Sequence, residues 1–397
     1  MLEPTTLVYA LVGAIGLLGA DAYYNSTTLH VETTVAPVYE QRGYSQQVVE
    51  SIFAGELENI ADTPSVITQL QFLTSKHKPI SSALAEAAHL KDPFEAAKAA
   101  VGISYSTVLA SVVVDSIDGK DFPRIVVTGK TENLKHFNLT VPLTSSSSVD
   151  LALAEAAFRT MKEISPYLTA LYAFSRAEKN GVHPSQADGL VAEWIGKAPT
   201  STYSPERALF ENLRGLSFLI DNDPVAAEVW FTKANKSDPE LQPAILNLGF
   251  MALYRGYNER AIELFRQVTD PWVWPGSVDT RTVYAAHVGL GIALASQGNF
   301  EESDSQFGEA VTMMPSGVSS YFYWARSLLK QGRTAEATAL VETAMRNAKR
   351  IVNYSELAGL YFWLPDQPNG VLERRTRDLP KVLLITHLAQ PPVVWYK

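Results

Sequence analysis

LNLGFMALYRGYNERAIELFRQV, residues 246–268, and VGLGIALASQGNFEESDSQFGEA, residues 288–310, are the same sentence written twice. In both, a glycine (Gly249, Gly291) follows an apolar residue, a second glycine (Gly256, Gly298) comes seven later, and a phenylalanine (Phe265, Phe307) comes nine after that. The beat extends outward. Gly215, Gly249, Gly291, Ala325 and Gly359 hold one position, separated by 34, 42, 34 and 34 residues. A second small residue follows at Ala227, Ala261, Ser303 and Ala337, and a third position holds Ala234, Val268, Ala310 and Ala344. A period of this length predicts stacked supersecondary units.

Each unit reads as a helix, a tight turn, a second helix and a short link, with small residues where two helices cross closely and large ones filling the layer. Residues 206–364 thereby resemble the tetratricopeptide repeat family. The first repeat departs from the pattern: Asn222 replaces the turn glycine and Pro224 opens the second helix. Eight extra residues lie between the second and third repeats, in a linker holding Pro271-Trp272-Val273-Trp274-Pro275. Gly359, with Tyr361 to Trp363, starts a lone helix that would cap the stack.

The resemblance implies a superhelix with an inner groove, lined by the first helix of each pair, that takes a peptide or helix of a protein partner. The positions carried over are Asn212 and Leu216; Leu246, Asn247, Phe250 and Tyr254; Val288 and Ile292; and Phe322, Tyr323, Arg326 and Lys330. Such a lining, apolar and aromatic with basic residues at one end, suits an apolar peptide with an acidic end. The clamp by which one subset of the family holds chaperone carboxylates is not expected. Asn247 fits one of its positions, but Leu213 and Gly289 stand where basic members belong.

Composition narrows the function. With 46% hydrophobic and 19% charged residues the chain is a folded protein of two or three domains. A net charge of −9 argues against nucleic acid, whose phosphates need a basic face. No cysteine is present, so disulfides, zinc thiolates and thiol nucleophiles are excluded. Seven scattered histidines form no HExxH pair, and no Gly-x-Ser-x-Gly elbow occurs. No catalytic residue, cofactor or metal is therefore expected. An unrecognised enzyme, its groups dispersed along the chain, stays a minor alternative.

Thr5 to Ala22, with the uncharged run Leu7 to Ala20, is long enough for roughly 27 Å of helix at about 1.5 Å per residue, against a hydrocarbon core of about 30 Å. It reads as a single membrane-spanning anchor. A cleaved signal peptide, with Ala20-Asp21-Ala22 as the small-x-small site, and a docked helix are the alternatives. No Lys or Arg precedes Arg42, so little basic charge holds the body on the cytoplasmic side. The expectation is a bacterial inner-membrane protein with its body in the periplasm; a cytoplasmic body, or secretion after cleavage, stays open.

Residues 28–147 read as a small α+β domain, similar in layout to the juxtamembrane domains of some bacterial membrane-anchored repeat proteins. Its elements are a strand over Thr28–Pro37, a helix over Gly43–Ile60, short helical pieces over 64–104, and three strands at Thr107–Asp115, Pro123–Lys130 and Leu134–Leu143. Asp118-Gly119 marks a turn. Gly129-Lys130-Thr131 is no phosphate loop, since Arg124 stands where its first glycine belongs and a strand follows. Residues 148–198 read as a long helix over Val149–Ser175, capped by Ser148 and kinked or broken at Pro166, and a degenerate leading helical pair. Residues 365–397 form a tail with a basic cluster at Arg374, Arg375, Arg377 and Lys381.

The sequence thus predicts a mostly α protein: a membrane helix, a small α+β domain and a C-terminal α-solenoid. Its expected work is that of a membrane-anchored scaffold or adaptor binding a protein partner. The alternative is an assembly subunit of an envelope complex, self-associating through the α+β domain.

Overall fold

The computed structural model describes residues 28–63, 71–74, 106–117, 120–130, 136–143, 148–179, 185–197, 205–220, 223–269 and 280–350. The chain divides into two compact units, Met1–Thr63 with Ile67–Thr169, and Pro64–Val66 with Ala170–Lys397. The expected anchor over 5–22, the tryptophan-bearing linker over 270–279, the lone helix at Gly359 and the tail over 365–397 lie outside the described residues. No helix among the described residues is long and apolar enough to cross a membrane.

The first unit contains β1 (Thr28–Val35), α1 (Pro37–Glu40), α2 (Gln46–Ala61), β2 (Gln71–Thr74), β3 (Ser106–Ile117), β4 (Lys120–Lys130), β5 (His136–Pro142) and α3 (Val149–Ile164). The sheet order is β2-β1-β3-β4-β5. β1 runs parallel to both β2 and β3, while β3, β4 and β5 are joined antiparallel. Parallel neighbours need a crossover, and α2 supplies it between β1 and β2. β2 corrects the helical reading of 64–104: Gln71–Thr74 is a strand, its Phe72 and Leu73 in register with Leu29 and His30 of β1.

Alternation then decides which face is covered. Leu29 and Val31, Val108, Ala110 and Val112, and Ile125 and Val127 are buried on their strands, every second residue as a pleated strand requires. Val49, Phe53 and Leu57 of α2 and Leu153, Ala156, Ala157 and Met161 of α3 close the core. Both helices start on a serine: Ser45 Oγ accepts from Val48 N at 3.4 Å and Ser148 Oγ from Leu151 N at 3.2 Å. Because α3 packs on α2, β4 and β5, the first unit runs past the 147/148 boundary read from the sequence to Thr169. The long helix ends at Ile164. Ser165 leaves helical geometry (φ −139°, ψ 81°), and Pro166, which has no N–H to offer, starts α4 (Pro166–Lys179).

Gly129 pairs with Phe137 across β4 and β5. A Cβ on Gly129 would lie 2.1 Å from Phe137 Cζ, so the glycine makes room for the ring and is no part of a phosphate cradle. β5 is an edge of the sheet, and the edge is blunted: Arg159 Nη1 donates to the Thr140 carbonyl at 3.4 Å and Pro142 has no N–H.

The second unit contains α5 (Ser185–Lys197) and four helix pairs: α6 (Pro205–Ile220) with α7 (Pro224–Ser237), α8 (Gln242–Tyr254) with α9 (Asn258–Thr269), α10 (Thr280–Ser296) with α11 (Phe300–Met313), and α12 (Val318–Lys330) with α13 (Thr334–Arg350). The 34-residue beat is thus a helix-pair beat, with the expected tetratricopeptide-like layout. Trp194 of α5 stacks on Phe210 of α6 at 4.3 Å between ring centroids, and Asp188 pairs with Arg214.

Candidate protein-interaction surface of the repeat stack

The turns inside the four pairs are superimposable in their hydrogen bonds. Asp223 N, Tyr257 N, Asn299 N and Arg333 N donate to Phe218 O, Ala252 O, Leu294 O and Leu328 O at 2.8, 2.8, 3.0 and 2.9 Å. This closure satisfies orphan carbonyls at a helix end and calls for a left-handed residue just before it. Gly256, Gly298 and Gly332 supply it, at φ of 76°, 81° and 77°. The first pair makes the same bond, and Asp223 caps α7 through Ala226 N at 2.9 Å with Pro224 behind it, so a departure from the family pattern still gives a complete helix pair.

Within each pair the first helix crosses the second at its small residue. A Cβ on Gly215, Gly249 or Gly291 would approach the ring of Phe231, Phe265 or Phe307 to 2.4, 2.6 or 2.9 Å. Phe265 is held on a second side, since a Cβ on Gly289 of the next pair would lie 2.5 Å from its Cζ. One fully buried ring therefore fills the space left by two glycines from consecutive first helices. Packing then continues from first helix to first helix, α8 to α10 and α10 to α12, through one apolar cluster that runs from Ile245 to Tyr323.

Polar groups bind the layers. Asn247 Nδ2 donates to Asn212 Oδ1 at 2.9 Å, both buried. Tyr284 on α10 caps the next pair: its hydroxyl accepts from Ser320 N at 3.1 Å and shares a 2.7 Å hydrogen bond with Ser319 Oγ, at the start of α12 where Gly317 has no side chain to cap with. Burial pushes the Tyr284 pKa above its ordinary value of 10.0, with the bonds to Ser319 and Ser320 opposing. Asp304 on α11 gathers three donors from the fourth pair, Trp324 Nε1 at 2.9 Å, Gln331 Nε2 at 3.3 Å and Arg333 Nη1 at 2.6 Å. Arg333 also reaches Glu336 at 2.6 Å, which holds that carboxyl below its usual range. Of the groups that bind one pair to the next, Gly289, Tyr284 and Asp304 were not legible as such; only the Gly-Leu-Gly pattern at 289–291 marks a second close approach.

The twelve groove positions separate sharply. Asn212, Leu216, Leu246, Asn247, Phe250, Val288, Ile292 and Tyr323 are buried, none more than 2% exposed, so they are packing residues in this structure rather than lining. The reason is geometric. Leu246, Phe250, Val288 and Ile292 sit in the cluster formed as successive first helices pack on one another. Asn247 is spent on Asn212. Surface remains at Tyr254, Phe322 and Arg326, all half-buried, and at Lys330, which is exposed. Phe322, Arg326 and Lys330 fall four apart along α12, the last first helix among the described residues. Phe322 lies edge-on to Tyr323 at 5.3 Å. Among the described residues no cluster of His, Asp and Glu could hold a metal ion.

No family model and no curated protein matches the chain. Solved structures do. A crystal structure of PilW, described as a widely conserved type IV pilus biogenesis factor, is 15% identical over 49% of this chain and 82% of its own, with a TM-score of 0.39. PilF of Pseudomonas aeruginosa is 14% identical over 50% and 81%, with a TM-score of 0.37. A crystal structure of MamA is 14% identical over 44% and 94%, with a TM-score of 0.33. At scores this low no shared fold follows from the comparison; the helix-pair assignment rests on the turns and crossings above.

Proposed function

We propose that the protein is an interaction scaffold whose repeat stack binds a segment of another protein along α12. One observation carries the reading: α8 packs on α10 and α10 on α12 through the positions of Leu246, Phe250, Val288 and Ile292, and the repeat-equivalent positions on α12 come to the surface as Phe322 and Arg326, followed by Lys330. An aromatic ring followed at one-turn steps by two cations fits a short peptide or helix with an apolar residue next to carboxylates. Rings and cations that are partly held in place lose little side-chain freedom on binding, which favours them as anchors.

The run Leu7–Ala20 supports placing this scaffold on a membrane, with the body outside the cytoplasm. Assembly through the α+β unit is the lesser reading, because its β5 edge is blunted by Arg159 and Pro142. The test is affinity capture from detergent-solubilised membranes with the intact chain, beside Arg326→Glu with Lys330→Glu. Circular dichroism and urea unfolding of the variant beside the parent check that the half-buried Arg326 can be reversed without loss of the fold. Recovery of one partner by the parent and its loss by the variant supports the reading; equal recovery sinks it. Protease protection on intact vesicles tests the placement of the body.

A further inference from the structure

The repeats serve as controls for one another, and α12 departs from its predecessors. Each first helix carries one stripe of residues at i, i+4 and i+7. On α8 the stripe is Leu246, Phe250 and Leu253, 0%, 0% and 2% exposed, and on α10 it is Val288, Ile292 and Ala295, 2%, 2% and 8% exposed. A further first helix follows both. On α12 the same stripe is Phe322, Arg326 and Leu329, and all three are half-buried. α12 is the last first helix among the described residues, which end at Arg350.

First helices meet at a fixed step. Asn212 bonds to Asn247 and Tyr284 to Ser319, and both pairs are 35 residues apart. Taken onward from α12, that step leads from Ser319 to Tyr354, from Phe322 to Leu357, from Arg326 to Tyr361 and from Leu329 to Leu364. Spacings of 3, 4 and 3 put Tyr354, Leu357, Tyr361 and Leu364 on one face of a helix, and Pro365 stops it. The stretch 351–364 carries a single charge, Glu356. Residues 351–353 are left to join it to Arg350, much like the links 238–241 and 314–317 that lead into α8 and α12.

We propose that residues 354–364 of this chain pack on α12 as a further first helix and close the face assigned above to a partner, which binds by taking their place. The displacement rests on that binding reading; the packing does not. Leu357 covers Phe322, and the Tyr361 ring lies against the Arg326 guanidinium, a cation on an aromatic face. The fit is weakest at the basic end. The step from Arg326 and Lys330 leads to Tyr361 and Pro365, neither of them acidic. A partner helix with carboxylates at those two places adds charge-assisted hydrogen bonds that the chain's own helix does not offer. That difference in affinity is what a displacement needs.

The absence of cysteine gives a direct test. In the full chain in mild detergent, Phe322→Cys is combined with Leu357→Cys, or with Ser355→Cys on the opposite side of the same stretch. Each pair is treated with a short bis-methanethiosulfonate. Linkage within one chain that is about tenfold or more faster for 322 with 357 than for 322 with 355 supports the packing. Equal rates, linkage between two chains, or no linkage overturns it. A labelled peptide of residues 351–366 offers the same helix from outside. Leu357→Glu dislodges the chain's own copy, so that variant binds the peptide about tenfold or more tightly than the parent does. Equal binding, or binding to neither, overturns the closed face. The linked 322–357 chain loses the partner that the same chain recovers after reduction; recovery that the link leaves unchanged overturns the displacement. Linkage and peptide binding read the chain alone, so they hold or fail independently of whether any partner is captured.

Discussion

Gly289→Ala and Gly249→Ala should destabilise the stack, although alanine is the better helix former. Each glycine lies within a helix, and replacing an interior glycine by alanine normally stabilises by about 1 kcal/mol. Here the new Cβ would lie 2.5 Å (Gly289) or 2.6 Å (Gly249) from an atom of the Phe265 ring. Ordinary carbon contacts are about an ångström longer. The ring cannot step aside, because it is fully buried and the opposite glycine's helix stands on its other side. Forcing a methyl into such a layer costs about 1–3 kcal/mol. The net for each single variant is then destabilisation by about 0–2 kcal/mol once the gain in propensity is subtracted. Gly308→Ala is the control: it lies on α11 and a Cβ there meets nothing within 4 Å, so it should stabilise by about 1 kcal/mol. Urea unfolding followed by circular dichroism reads the difference, expected at about 1–3 kcal/mol between the sites. Phe265→Leu should lessen the penalty in the Gly249→Ala, Gly289→Ala double variant, since both substitutions press on one ring. If Gly249→Ala and Gly289→Ala stabilise as Gly308→Ala does, the wedged-ring account of the beat is wrong.

Tyr284→Phe removes the acceptor of Ser320 N and the partner of Ser319 Oγ, and should cost about 1–2 kcal/mol in urea unfolding. Because the folded pKa of Tyr284 is raised, its contribution is complete below about pH 10, where the unfolded chain's tyrosines are still neutral, and is lost as pH rises through the folded value. The parent should therefore lose stability on going above pH 10, and Tyr284→Phe should lose less. Asp304→Ala leaves Trp324 Nε1 without its acceptor and cuts the tie of Arg333 to α11, while Glu336 still holds the guanidinium, and amide exchange should quicken in α12 and α13 while α8 and α9 keep their protection. Glu336 carries the opposite sign: its lowered pKa makes the Arg333 contact complete above the ordinary carboxylate range and lost as pH falls through the folded value, which a titration followed by carboxyl NMR shifts would show.

What could be read from the sequence follows from what a residue type records. Gly215, Gly249 and Gly291 record a close approach directly, because only a missing side chain lets a phenylalanine lie against a helix backbone. Gly256, Gly298 and Gly332 record a left-handed turn. Both signals are local and survive in one dimension. β2 was not legible, since four residues are too few to show a period, and a parallel strand is defined by its neighbours β1 and α2 rather than by itself. The groove was legible only as a face. Helical spacing says that Leu246, Phe250 and Tyr254 point one way; it does not say that α10 covers the first two and spares the third. Tyr284 and Asp304 act across 36 and 29 residues, on Ser320 N and Arg333, and nothing in a helix-by-helix reading joins those ends.

The binding account is tested most directly by where a partner touches the stack. A photo-crosslinking residue is placed at Phe322, on the face that surfaces at α12, and at Glu301, on the outer face of α11, in the full chain in its native cells. The account predicts one discrete adduct from position 322 that disappears in the Arg326→Glu, Lys330→Glu background, and none from position 301. Adducts from position 301 alone, or an adduct at 322 that the charge reversals leave untouched, would contradict it.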